Sequence, residues 1–223
     1  MSQTIESQSA STAATAPRLL HVEASPRGAR SASRQVAQAF LDAWADRHPG
    51  AEIDVLNVWA TELPAFDGDA LDAKYAGLEG RERSAGQARA WQEIGALADR
   101  FRRANVVLLG VPMWNFGIPY RLKHLIDAVS QKDVLFTFDE NGLRGMLGGR
   151  KAVVVNSRGV GLGPDFPREE LDYQQRYMTA WLQMIGISDI AHIEVEKTLM
   201  GAEPDRAGRA AASAEAARLA ATL

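Results

Sequence analysis

The sequence predicts an α/β domain: a doubly wound, five-stranded parallel sheet with helices on both faces. Three observations carry this. Short apolar runs alternate along the chain with stretches of helical periodicity. The most apolar run, Val106 to Val111, shows no in–out alternation, as a strand covered on both faces requires. The three most unusual loops, rich in Ser, Gly or aromatic residues, each follow one of the runs. Parallel neighbours need right-handed crossovers. The usual order, 2-1-3-4-5, would set the carboxyl ends of strands one, three and four side by side at a topological switch point, where ligands bind.

The elements follow in order. Residues 1–17, built from Ser, Thr, Ala and Gln, have little to bury and are expected to be a disordered tail, leaving residues 18–223 as one domain. Leu19 to Ala24 reads as the first strand, and Val36, Ala39, Phe40, Ala43 and Trp44 form the stripe of a helix stopped by Pro49-Gly50. Ile53 to Val58 is the second strand. Residues 59–83 show no sustained period and read as a long loop. Ala88, Trp91, Ile94, Leu97 and Phe101 share one face of a helix over about 84–103. After the central strand, Pro119 suits the first position of a helix carrying Leu122, Leu125, Ile126 and Val129. Val134 to Phe138 with Asn141-Gly142 suggests an extended excursion and a turn. Lys151 to Asn156 is the fourth strand, residues 169–185 a helix capped by Gly186, Ile190 to Val195 the fifth strand, and residues 204–223 the closing helix.

Composition narrows the chemistry. The 223 residues carry a formal net charge of -3, which gives no basic footprint for nucleic acid. No cysteine is present, so disulfides, thiolate nucleophiles and iron–sulfur clusters are excluded, and any redox chemistry needs a bound organic cofactor. The four histidines, His21, His48, His124 and His192, lack metal-binding spacing. No apolar run approaches the roughly 20 residues that span a bilayer, and the expected location is cytoplasmic.

The loops supply the candidate site. Ser25 to Ser33 is hydroxyl-rich and leads into a helix, a combination that suits a phosphate; plain N-capping by Ser31 or Ser33 explains it equally well. Pro112-Met113-Trp114-Asn115-Phe116-Gly117-Ile118-Pro119 offers a flat apolar wall with one amide, suited to a planar heterocycle or simply to a rigid turn capping the core. Asn156-Ser157-Arg158-Gly159-Val160-Gly161 permits close backbone approach, and a positive group there would stabilise negative charge developing on a ring.

These residues together resemble the FMN-dependent NADH-azoreductase and quinone reductase family, which is flavodoxin-like, over about residues 18–200. The resemblance rests on the serine loop, on the Pro-Met-(aromatic)-Asn-Phe-x-x-Pro-x-x-Leu-Lys stretch seen as Pro112 to Lys123, and on Ser157-Arg158-Gly159. Trp114 stands where tyrosine is common, and Val160 where a second glycine is frequent. The resemblance implies that Ser25, Ser31, Ala32 and Ser33 hold the FMN phosphate. By it, Met113, Trp114, Asn115 and Phe116 line the ribityl chain and isoalloxazine, and Ser157, Arg158, Gly159 and Val160 meet the pyrimidine end. It further implies NADH or NADPH as donor, small quinone or azo acceptors, and a homodimer to which Trp59 and Phe66 could contribute. Trp181 reads as a core residue that could instead face the pocket. The competing readings are an FMN electron carrier, usually smaller and more acidic, and a hydrolase, for which no G-x-S-x-G elbow exists.

Overall fold

The computed structural model describes residues 16–223; the tail expected over residues 1–17 lies, but for its last two residues, outside them. Five strands, β1 (Arg18–Glu23), β2 (Glu52–Asn57), β3 (Val106–Pro112), β6 (Lys151–Ser157) and β7 (Asp189–Val195), form one sheet in the order β2-β1-β3-β6-β7. All neighbours are parallel. Counted within the sheet, this is the expected 2-1-3-4-5. Between the third and fourth of these strands, β4 (Phe136–Asp139) and β5 (Gly142–Gly145) pair as an antiparallel hairpin; its turn is Glu140-Asn141, one residue before the expected Asn141-Gly142, and Gly142 already pairs with Asp139.

The central strands alternate between two cores, so each needs apolar residues on both faces. Leu20, Val22, Leu109 and Val154 face α3 (Ala85–Arg103), α4 (Tyr120–Val129) and α6 (Tyr173–Met184) through Leu97, Phe101, Leu122, Leu125, Met178 and Trp181. Leu19, Leu108, Val153 and Val155 face α1 (Ala32–Arg47) and α7 (Ala202–Ala220) through Val36, Phe40, Trp44, Ala212 and Ala216. Serine caps start two of these helices. Ser31 accepts from Arg34 N, and Ser84 forms a reciprocal capping box with Gln87.

Three elements differ from expectation. The stretch 59–83 contains α2 (Gly68–Leu78), whose buried face is Ala70, Ala73 and Ala76. Residues 169–185 are not one helix: α5 (Arg168–Leu171) ends at Asp172, which turns the chain and N-caps α6 by accepting from Gln175 N at 2.8 Å. Pro119 stands before α4 rather than as its first residue. Gly186 does take the left-handed conformation, φ +99°, and there the hairpin docks on the end of α6. Leu147 N donates to Ile185 O at 2.8 Å, and a methyl on Gly145 would overlap the backbone of Ile185 and Gly186.

Strand register brings three loops together. Ala24 N donates to Gly110 O at 3.0 Å, and Met113 N to Ser157 O at 2.8 Å. The chain leaves β1 towards β2 on one side and returns to β3 on the other, so the switch point lies at the carboxyl ends of β1 and β3.

Candidate functional site

The loop after β1 ends in buried serines. Ser25, Ser31 and Ser33 are all enclosed, and the Ser31 and Ser33 hydroxyls lie 3.2 Å apart. Ser31 Oγ also accepts from Arg34 N at 3.2 Å, so one hydroxyl proton of the pair is left over. The amides of Ala32 and Ser33, the first in α1, find no acceptor among the described residues. Leftover hydroxyl, free amides and the positive end of a 16-residue helix form a donor set for an anion. Arg27 and Arg30 stay exposed at its rim, whereas Arg34 is engaged with Glu23 at 3.1 Å.

The loop after β3 is a two-residue reverse turn. Trp114 and Gly117 exchange backbone hydrogen bonds of 3.0 and 2.9 Å, with Asn115 at φ +49° and Phe116 at φ +68° between them. Two successive positive φ values mark a type I′ turn, which favours Asn at the first position and Gly at the second. Phenylalanine in that place stores strain, and such strain concentrates at functional sites. The aromatic surfaces of Trp114 and Phe116 are 37% and 40% exposed, which is unusual for rings of this size held so rigidly. Met113, half-buried, lies at the base of the turn.

Trp59 completes this shelf. Its indole N–H donates to Ala24 O at 3.0 Å, and its ring lies 5.7 Å from Trp114 and 5.3 Å from Tyr120. Arg121 secures the same loop by donating to Val58 O and Thr61 O, each at 2.8 Å. Within this chain Trp59 packs beside the site. Tyr120 was not foreseen, although its place next to Pro119 at a helix start marked it as solvent-facing. Phe66, Ile118, Tyr120, Tyr173 and Tyr177 line a groove of about 980 Å³ between α4 and α6 that opens beside the turn. Burial, reinforced by the charge of Asp127, pushes the Tyr177 hydroxyl up to about 12.

The loop after β6 supplies amides rather than charge. Ser157 is buried, and the N–H groups of Gly159, Val160 and Gly161 find no acceptor among the described residues. Arg158, expected to place a positive group at a ring, does not: its side chain is fully enclosed and pairs with Asp172 at 2.6 Å and Glu196 at 2.9 Å. Burial alone would raise the Glu194 carboxyl. The hydrogen bond from Arg168 and the charges of Arg158 and Arg168 hold it below the ordinary range instead. Trp181 is a core residue, edge-on to Phe101 with its indole N–H on Ser130 Oγ at 2.9 Å.

A helix start with free donors, an exposed aromatic turn and a row of amides without acceptors among the described residues meet at one switch point, as in an open α/β protein of the flavodoxin-like class. Residues 17–220 match the family model described as Flavodoxin-like fold. An FMN-dependent NADH:quinone oxidoreductase 2 from Pseudomonas syringae pv. tomato is 50% identical over 92% of this chain and 98% of its own. An FMN-dependent NADH:quinone oxidoreductase 9 from Burkholderia lata is 51% identical over 83% and 90%. The solved FMN-dependent NADH-azoreductase from Bacillus anthracis str. Ames Ancestor in complex with FMN superposes with a TM-score of 0.81 at 23% identity, covering 92% of this chain and 99% of that one. The chain belongs to the flavodoxin-like fold family and, within it, to the FMN-dependent NADH:quinone oxidoreductases.

Proposed function

We propose that this protein is an FMN-dependent oxidoreductase that uses NADH to reduce quinones and azo compounds. The observation that carries the reading is the strained Asn115–Phe116 turn, set between a serine-lined helix start and a free-amide loop. The names of the relatives at 50% and 51% identity agree with it.

In this reading Ser25, Ser31, Ala32 and Ser33 hold the phosphate through hydroxyls, amides and the helix end. Met113, Trp114 and Phe116 give the ring a flat apolar bed, and the Asn115 side chain, which has no partner among the described residues, donates to or accepts from its polar edge. Ser157, Gly159 and Val160 offer donors where negative charge develops; Arg158 contributes through the loop it shapes. When bound, FMN would supply two-electron chemistry at N5: NADH would give up a hydride in one half-reaction, a quinone would take up a hydride and a proton in another, and an azo bond would need two such cycles. Trp59 and Tyr120 shield one edge of the bed from water, and the α4/α6 groove with its exposed Tyr120 and Tyr173 is the face assigned to a second copy in a homodimer.

The test is optical. Purified protein reconstituted with FMN is expected to show a flavin absorption band that bleaches anaerobically on adding NADH and returns on adding a quinone. A well-folded protein that takes up no FMN overturns the proposal; one that binds FMN but ignores NADH is an electron carrier instead.

A further inference from the structure

A buried guanidinium must place most of its five donors and balance its charge. Arg158 does so on two segments at once, the start of α6 and the end of β7. Nη2 donates to Asp172 Oδ2 at 2.6 Å, Nη1 to Glu196 Oε1 at 2.9 Å, and Nε to Gln174 Oε1 at 3.2 Å, with Glu194 Oε1 3.5 Å from Nη1. Arg168 closes the outer side with a fork onto Glu194 at 2.5 and 2.8 Å. Three carboxylates thus surround two guanidinium groups, and no positive charge is left over. Gln174, fully buried, also donates to Val111 O at 2.7 Å, so the same cluster holds the end of β3 just before the aromatic turn.

The backbone around Arg158 is equally committed. Its N–H donates to Val195 O at 2.8 Å, and its carbonyl accepts from Thr198 N at 3.1 Å and Thr198 Oγ1 at 3.0 Å. The Gly159 carbonyl accepts from Leu199 N at 2.9 Å. Further along, Leu162 N donates at 3.3 Å to Glu196 Oε1, the same oxygen that binds Arg158. The amides of Gly159, Val160 and Gly161 are therefore bracketed on both sides by groups tied to the Arg158 cluster, while they themselves donate to nothing among the described residues.

We propose that Arg158 is a positioning residue: its guanidinium, held by Asp172, Gln174 and Glu196, fixes the loop so that the amides of Gly159, Val160 and Gly161 form a rigid donor row for the flavin ring. The proposal rests on the flavin function inferred above. Its charge is neutralised by carboxylates and does not act on the ring. A planar fork is needed for this, because a lysine ammonium is a point charge that cannot reach Asp172, Gln174 and Glu196 with donors fixed in one plane.

Two variants separate positioning from direct charge. R158K keeps the positive charge and loses the fork; E196A removes a carboxylate and leaves Arg158 less neutralised. Affinities for FMN and riboflavin, the midpoint potential of bound FMN, and the melting temperature of the cofactor-free protein are measured for each and for the wild type. Positioning predicts that both variants weaken FMN and riboflavin by the same factor, about 10-fold or more, and lower the potential, because the ring end and not the phosphate end is disturbed. A direct charge role predicts near-wild-type binding in R158K, and unchanged or tighter binding with a raised potential in E196A; either result overturns the proposal. Should R158K fail to fold, E196A decides alone. A wild type that binds neither flavin refutes the function itself, a different outcome from wild-type binding with unaffected variants.

Discussion

Phe116 sits at a backbone angle that its own side chain disfavours, with its ring partly in solvent. Replacing it with glycine creates Asn-Gly at the centre of a type I′ turn, the favoured pair for that geometry. Phe116→Gly is therefore expected to raise stability, by about 1 kcal/mol, while weakening FMN binding. Urea unfolding of the cofactor-free protein and a flavin titration measure the two effects; a loss of stability with unchanged binding would make the ring a packing residue. Residue types at this turn were legible from the sequence, since Trp, Asn and Phe in a prolyl frame already suggested a flat bed. The two positive φ values were not, because phenylalanine is among the last residues expected there. Arg158 misled for the converse reason. A cation in a glycine loop reads as a ligand contact, and only Asp172, Glu194 and Glu196, 14 to 38 positions away, reveal that its charge is consumed inside the protein.

Helix α1 begins with Ser31 as cap and Ser33 two positions on, so the two hydroxyls have separable duties. Ser31→Ala removes a cap and is expected to cost about 1 kcal/mol of stability irrespective of cofactor. Ser33→Ala leaves the cap intact and should weaken FMN several-fold with little effect on riboflavin, which lacks the phosphate; equal losses for both ligands would withdraw the phosphate role. Strands β1, β3 and β6 and helices α1, α3 and α4 were readable because large apolar residues mark their periods. Helix α2 was not, since its buried stripe is Ala70, Ala73 and Ala76, and alanine contrasts too weakly with its neighbours to register as a face. The break at Asp172 escaped notice because that carboxylate serves two partners, the Gln175 amide three residues on and the Arg158 guanidinium, and the second exists only in the fold.

Across the whole molecule, acid sensitivity should originate in buried histidines. His21, on the central sheet, is lowered to about 4 by burial, with Glu23 opposing and Arg34 assisting. The folded state keeps it neutral while the unfolded chain takes up a proton below the ordinary value of 6.5. Its contribution is thus fully present above that pH and is lost as pH falls towards 4, by roughly 3 kcal/mol in all. His192, lowered chiefly by burial, acts in the same direction, whereas Glu194 adds its loss only below the ordinary carboxylate value of 4.5. Between those limits His21→Leu should flatten the fall of the urea midpoint with pH, leaving the part due to His192; an unchanged slope would remove His21 as the cause. The sheet takes the usual order of five-stranded sheets of this class, which crossover rules alone do not dictate, and nothing in the sequence showed the way Trp59 bridges the first and second loops. That bridge gives the protein a built-in light signal. Of the five tryptophans, Trp59 and Trp114 lie beside the proposed cofactor bed, Trp44 and Trp181 are buried in the interior and Trp91 packs under Arg83, so a fall in tryptophan emission on adding FMN, lessened in a Trp114→Phe variant, would follow occupancy of the site without any added dye.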